Sequence, residues 1–201
     1  MEPEQHDVKT RILLAAKRLF AKQGFEGTSV RQICEEAGGN VALVSYHYGG
    51  KDNVFQAIFA EFFPGNRLEE YEPFFQDPVE GLKVLVQGIL NFFVQDEELA
   101  TIIHQEMSMQ SPRVEMIQNN ILPVWRKLGE LLEKGREQGV FHFTSLDYAL
   151  LMTMGTIIFP NQYKNQCLDQ ILSHSSYSSE EKIQFTIEYV LGALGYQERN
   201  K

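Results

Sequence analysis

Three glycine breaks, at Gly24, Gly38-Gly39 and Gly49-Gly50, cut the first fifty residues into short pieces that can bury a face only by packing on one another. Between the breaks, apolar residues recur every three to four positions, the period of a helix with one buried side. Asp7 is placed to cap a first helix in which Val8, Ile12, Ala15, Ala16, Leu19 and Phe20 share a face. A second helix is expected from Thr28, with Val30, Ile33, Cys34 and Ala37 turned inward. Asn40 is placed to cap a short third helix reaching about Tyr48, and a fourth is expected from Lys51 to about Phe63. In the third, Val44 and Tyr48 lie four apart and face the core. Val41, Ala42, Ser45 and Tyr46 then point outward, with Leu43 at the side.

The composition changes at "PGNRLEEYEPFFQDPVEG", which holds three of the seven prolines and reads as a boundary. Longer helices follow over about 79–94, 97–108, 113–138 and 145–159. The last of these is expected to be capped by Thr144 and Asp147 and to stop at Pro160. Ser178 and Glu181 form a capping box for a final helix to about Leu194. No strand-period alternation persists and no repeat is visible, so the fold class is all-α. The expected division is a helical head at 1–50, a connecting helix and hinge at 51–78, and a larger helical domain at 79–201.

Charge is distributed unevenly along the chain. The formal net charge is −9, yet residues 1–60 hold seven basic and seven acidic side chains, and the remainder holds 11 basic and 20 acidic. A neutral head on an acidic body permits a nucleic-acid partner without requiring one. No apolar run is long enough to span a membrane, and the polar start "MEPEQHDVKTR" lacks a signal-peptide core, so a cytoplasmic location is expected. Two cysteines, Cys34 and Cys167, form no metal or disulfide framework. The five histidines (His6, His47, His104, His142, His174) show no i,i+4 pairing, so no metal is expected. No acid, base or nucleophile constellation is legible, no cofactor motif appears, and an enzyme is not expected.

Two helices joined by a glycine turn, the second short and capped, make a helix-turn-helix unit. Such a unit lays its second helix in the DNA major groove. The stretch "TSVRQICEEAGGNVALVSYHYGGKDNVF" resembles the N-terminal signature of tetracycline-repressor-type (TetR) regulators. Thr28, Ile33, Ala37, Gly38, His47, Lys51 and Phe55 match it by identity; Val44, Tyr48 and Val54 match by type. The preceding "ILLAAKRLFAKQGFEGTS" is similar to the family's first helix and its exit. Departures are Cys34 for alanine, Gly39-Asn40 for Val-Ser, Ala42 for glycine and Ser45 for tyrosine.

The resemblance implies a homodimeric transcriptional regulator, more often a repressor, that binds a palindromic double-stranded DNA operator and responds to a small-molecule effector. In a two-fold dimer the half-sites lie about 34–36 Å apart or a multiple of that. Val41, Ala42 and Leu43 are suited to thymine methyls and Asn40 to an adenine edge. Phosphate grip is expected from Thr28, Ser29, Ser45, Tyr46, His47 and Lys51, and from backbone N–H groups opening the second and fourth helices. The last two long helices are each apolar on two sides. For the dimer interface the expected residues are Leu150, Met154, Ile157, Ile183, Ile187, Val190 and Leu194, with a second stripe at Ala149, Met152, Phe159, Phe185, Tyr189 and Gly192. An apolar effector pocket is expected among Phe92, Phe93, His104, Met107, Trp125 and Met152, with Gln105, Glu106 and Asn119 as further polar groups. A different class remains open on the residues alone: an all-helical ligand-sequestering or protein-interaction module without specific operator binding.

Overall fold

The computed structural model describes residues 7–162 and 177–197. Among these residues the regular structure is helical throughout, as the sequence pattern requires. The helices are α1 (Val8–Gln23), α2 (Val30–Glu36), α3 (Ala42–Tyr48), α4 (Lys51–Phe62), α5 (Pro78–Gln95), α6 (Glu97–Ser108), α7 (Val114–Glu137), α8 (Leu146–Gln162) and α9 (Ser179–Ala193). The proline-rich boundary forms two 3₁₀ segments, Pro64–Tyr71 and Phe74–Gln76. Cys167, His6 and His174 lie outside the described residues.

Contacts divide the chain into two units, residues 1–66 with 96–121 and residues 67–95 with 122–201. The head therefore does not stand alone: α6 and the start of α7 belong to its unit, although about thirty residues of the other unit intervene in sequence.

In the first unit α1 packs on α2, α4 and α6, and α3 packs on α2 and α4. Its core is aromatic. Phe20, Phe25, Phe55 and Phe59 are all buried, and their neighbouring ring centroids lie 5.2–5.6 Å apart. Tilted and edge-on arrangements at such distances suit the ring quadrupoles. Ile12, Ala15, Ala16, Ile33, Ile58, Leu99 and Ile102 complete it.

Caps set most helix starts. Asp7 accepts the Thr10 N–H at 2.8 Å, and Asp96 accepts the Leu99 N–H at 3.0 Å to open α6. Ser178 and Glu181 form the expected capping box of α9. The second helix begins differently from the expectation: Ser29, not Thr28, is its N-cap, in a capping box with Gln32. At α8 the Ser145 hydroxyl, rather than Thr144, accepts the N–H of Tyr148 at 3.4 Å.

In the second unit α5 packs on α8, α9 and the second 3₁₀ segment, and α8 packs on α9. Close approach decides one position. A Cβ on Gly135 of α7 would run into the ring of Phe141, which is 1% exposed, so only glycine lets the chain fold back there. Pro160 does not end α8, which continues to Gln162. A proline near a helix end removes only one backbone donor. The Ile157 carbonyl is also taken up by the Asn161 side chain at 2.8 Å.

Candidate nucleic-acid interface

The third helix is built from its buried side outward. Val44 is wholly buried and anchors α3 in the core of the first unit. Tyr48, four residues on, is half-buried, and its hydroxyl donates to the Lys9 carbonyl at 3.2 Å, joining the end of α3 to the first turn of α1. Burial raises the Tyr48 phenol above its ordinary pKa, with the Asp7 and Glu61 carboxylates adding to the effect. Gly49 closes α3 in the left-handed region at φ 76°. That conformation lets α4 start two residues later.

With this inner side fixed, Val41 (46% exposed), Ala42, Ser45 and Tyr46 (82% exposed) stand in solvent, and Leu43 and His47 lie between the two faces. The Tyr46 and His47 rings meet edge-on with centroids 4.9 Å apart. Asn40 is exposed, and its Oδ1 accepts the Ala42 N–H at 3.1 Å in the turn before α3, whose N-cap position is Val41 rather than the expected Asn40. One side of its amide is thus used locally. The outward face of α3 is apolar and aromatic and carries no ammonium or guanidinium.

Three of the residues expected to grip phosphate, Thr28, Lys51 and Ser29, are committed elsewhere. Thr28 is 2% exposed; its hydroxyl donates to the Gly24 carbonyl at 2.8 Å and accepts from the Gln23 amide at 3.3 Å. Lys51 donates its ammonium to the carbonyls of Phe25 and Thr28, 2.8 Å each, and lies 4.1 Å from the centroid of the Phe25 ring. Both therefore build the α1–α2 connection. Ser29 accepts the Gln32 N–H at 3.2 Å, so its hydroxyl is the α2 cap. No side chain caps α4, leaving its first turn without a local acceptor. On α2, Arg31 pairs with Glu35 at 2.8 Å and Arg18 of α1 pairs with Glu36 at 3.2 Å. In these exposed pairs each cation is matched by a carboxylate of the same unit.

Sequence reasoning did not find Lys17, Asp96, Gln105, Glu106 or Arg113 as parts of this unit. Gln105 and Glu106, expected as pocket groups, serve the first unit instead. Gln105 donates to the Ala21 carbonyl at 3.1 Å, and Glu106 is a buried partner of Arg113 at 2.8 Å. No local pattern signals such partners, because the pairs span 84 and seven residues.

Most of the residues expected at a dimer interface are buried within the chain itself. Ile157, Ile183, Ile187, Val190 and Leu194 are each at most 9% exposed and pack inside the second unit. Leu150 and Met154 are half-buried. The opposite stripe is in solvent: Tyr148, Leu151, Met152 and Phe159 on α8, and Phe185 and Tyr189 on α9, at 52–68% exposure. Sequence periodicity marked Met152, Phe159, Phe185 and Tyr189 but not Tyr148 or Leu151, and had no means of choosing between the two sides.

Of the six expected pocket residues, Met152 is 64% exposed and belongs to this outer stripe. Phe92 and Phe93 are half-buried with ring centroids 5.7 Å apart, and Trp125 and Met107 are half-buried; His104 is exposed. A shallow open surface along the outer side of α9, between Glu180 and Glu188, and a small depression beside Phe75, Lys127 and Lys134 involve none of the six. Among the described residues no group of three or more His, Cys, Asp or Glu side chains is placed to hold a metal ion, and no helix is long and apolar enough to cross a membrane.

A glycine-turned helix pair with a pinned second helix, on an all-helical body, defines a helix-turn-helix transcriptional regulator. Comparison with known proteins agrees. Residues 12–58 match the family described as "Bacterial regulatory proteins, tetR family", and residues 78–188 match the "Tetracyclin repressor-like, C-terminal domain". The chain belongs to the TetR family of DNA-binding transcriptional regulators, whose members are regulators rather than enzymes. It is 29% identical over 157 residues to the probable HTH-type transcriptional regulator YttP of Bacillus subtilis, covering 76% of each chain. It is 27% identical over 163 residues to the HTH-type transcriptional repressor NicS of Pseudomonas putida, covering 78% of this chain and 77% of that one. Among solved structures, HlyIIR, a hemolysin II transcriptional regulator, superposes with a TM-score of 0.73 at 27% identity, covering 94% of this chain and 98% of that one.

Proposed function

We propose that the protein is a repressor that reads a palindromic operator as a homodimer and releases it on binding a small apolar or amphipathic molecule. The carrying observation is the outward face of α3: Val41, Ala42, Ser45 and Tyr46 are exposed on a helix held from behind by the fully buried Val44. Val41, Ala42 and Leu43 fit the thymine methyls that A·T pairs display in the major groove. Asn40 offers the free side of its amide to an adenine edge. Ser45, Tyr46 and His47 supply phosphate contacts, together with the uncapped N–H groups at the start of α4. Ser29 and Lys51 act by shaping the unit around these contacts.

The dimer in this reading forms through Tyr148, Leu151, Met152, Phe159, Phe185 and Tyr189. So large an apolar stripe left in solvent is the mark of an interaction surface. A Cβ on Gly155 or Gly192 would meet nothing within 4 Å, which leaves room at both positions for a partner backbone. Repression is supported by the relative NicS, which is named as a repressor. Phe92, Phe93 and Trp125 are the proposed lining for the effector within the second unit. Action on DNA implies a cytoplasmic location.

The test is selection of bound sequences from a random duplex library with the full chain, repeated with Tyr46→Ala. An enriched palindrome with T-rich half-sites, weakened by the substitution, is the expected result. A folded dimer that enriches no sequence would instead favour a ligand-sequestering module.

A further inference from the structure

Three joins tie α6 and the turn after it to α1 and its exit, and the last of them converges on one ring. Lys17 of α1 pairs with Asp96 at 2.7 Å, Gln105 donates to the Ala21 carbonyl, and Arg113 reaches the α1–α2 connection. The Arg113 guanidinium lies 3.8 Å from the centroid of Phe25, pairs with Glu26 at 3.1 Å and donates to Glu106 at 2.8 Å. Its side chain is 14% exposed and that of Glu106 is 2% exposed, so the pair is withdrawn from water. Lys51, at the start of α4, holds the same ring at 4.1 Å and the carbonyls of Phe25 and Thr28. The segment that leads into α2 is thus gripped by two cations, one from α4 and one from beyond α6. The α6–α7 turn places Gln110 in the left-handed region at φ 48°, a conformation that non-glycine residues seldom adopt.

A guanidinium is suited to this place. Its planar fork bonds two carboxylates while its face stacks on a ring, which an ammonium cannot reproduce. A cation only 14% exposed and paired with two carboxylates is not available for phosphate contact, yet it borders the segment from which α2 and then α3 start. We propose that Arg113 is a positioning residue for DNA reading: it sets the α1–α2 connection, and through it the orientation of α2 and α3, from the end of α6. The inference rests on α3 being the reading helix, as proposed above.

The experiment uses the full chain, the duplex enriched by the wild type and an unrelated duplex. Arg113→Lys keeps the charge and loses the fork and the stack. The double variant Arg113→Met with Glu106→Leu removes the buried pair as a unit, so that no lone carboxylate is left inside to prevent folding. Both variants are expected to lose about tenfold in affinity for the enriched duplex, within the range of coupling between sites. Affinity for the unrelated duplex stays unchanged, and so does the salt dependence of binding, because no phosphate contact is removed. Wild-type affinity in both folded variants would overturn the proposal. So would a salt slope smaller by about one, the sign of a lost direct phosphate contact. Should the wild type enrich no duplex, the operator reading fails separately. Amide hydrogen exchange without DNA then decides the positioning: faster exchange over residues 24–48 in Arg113→Lys, with α5 unaffected, supports it, and unchanged exchange overturns it.

Discussion

Lys17 and Asp96 are 79 residues apart in sequence and 2.7 Å apart in the fold, with side chains only 10% and 16% exposed. The two oxygens of Asp96 do different work: Oδ2 takes the ammonium and Oδ1 accepts the Leu99 N–H that opens α6. Asp96→Ala removes both and leaves Lys17 with Glu98 at 3.9 Å. A loss of about 3 kcal/mol is expected, as for other broken ion pairs shielded from water. Asp96→Asn keeps the cap and is expected to lose less. Urea unfolding of the two variants measures the difference.

Lys51 separates two roles that sequence alone leaves merged. If it holds Phe25 and Thr28 as observed, Lys51→Met costs about 1.5–3 kcal/mol of stability, the worth of charge-assisted hydrogen bonds. The salt slope of operator binding is expected to stay the same. A slope reduced by about one, with stability unchanged, would show Lys51 leaving the carbonyls to bind phosphate.

Tyr46 and Val44 are two residues apart on α3 and should respond in opposite ways. Tyr46 is 82% exposed, so Tyr46→Ala is expected to change stability by less than about 0.5 kcal/mol while weakening operator binding. Val44 is fully buried, and Val44→Ala is expected to cost about 2 kcal/mol from lost burial and the cavity left behind. Thermal unfolding and a binding titration on each variant check both halves.

Stability should fall at both ends of the pH range through two identified helix ends. Backbone and hydroxyl hydrogen bonds from Ser178 hold the Glu181 carboxyl below its ordinary pKa. That contribution is present above the ordinary carboxylate value and is lost as pH falls through the lowered one. The phenol of Tyr48 is raised by burial, so its contribution is complete below the ordinary tyrosine value and is lost as pH rises through the raised one. Glu181→Gln should flatten the acid limb and Tyr48→Phe the alkaline limb of unfolding free energy against pH.

The two stripes of α9 make a paired prediction. Phe185→Lys, on the exposed stripe, is expected to give a folded protein that sediments as a monomer. Ile187→Lys, on the buried stripe, is expected to unfold the second unit, because an unpaired ammonium cannot be accommodated inside. A dimer surviving Phe185→Lys would place the interface elsewhere.

Much of the architecture was legible because helix ends are local chemistry. Asp7 and the Ser178–Glu181 box cap helices within three residues of themselves, and Gly49 terminates α3 by its own backbone. The outward face of α3 was legible for a similar reason, since a 3.6-residue period with Val44 inward leaves Ala42, Ser45 and Tyr46 outside. What the tertiary structure alone decided is which of two equivalent possibilities each side chain takes. The two apolar stripes of α8 and α9 have similar composition, and only packing within the second unit made one of them core. Thr28, Lys51 and Arg113 are polar side chains whose partners lie four to 88 residues away from them. Whether they meet phosphate, carbonyl or ring depends on where the chain returns in space, a long-range property that no local spacing encodes.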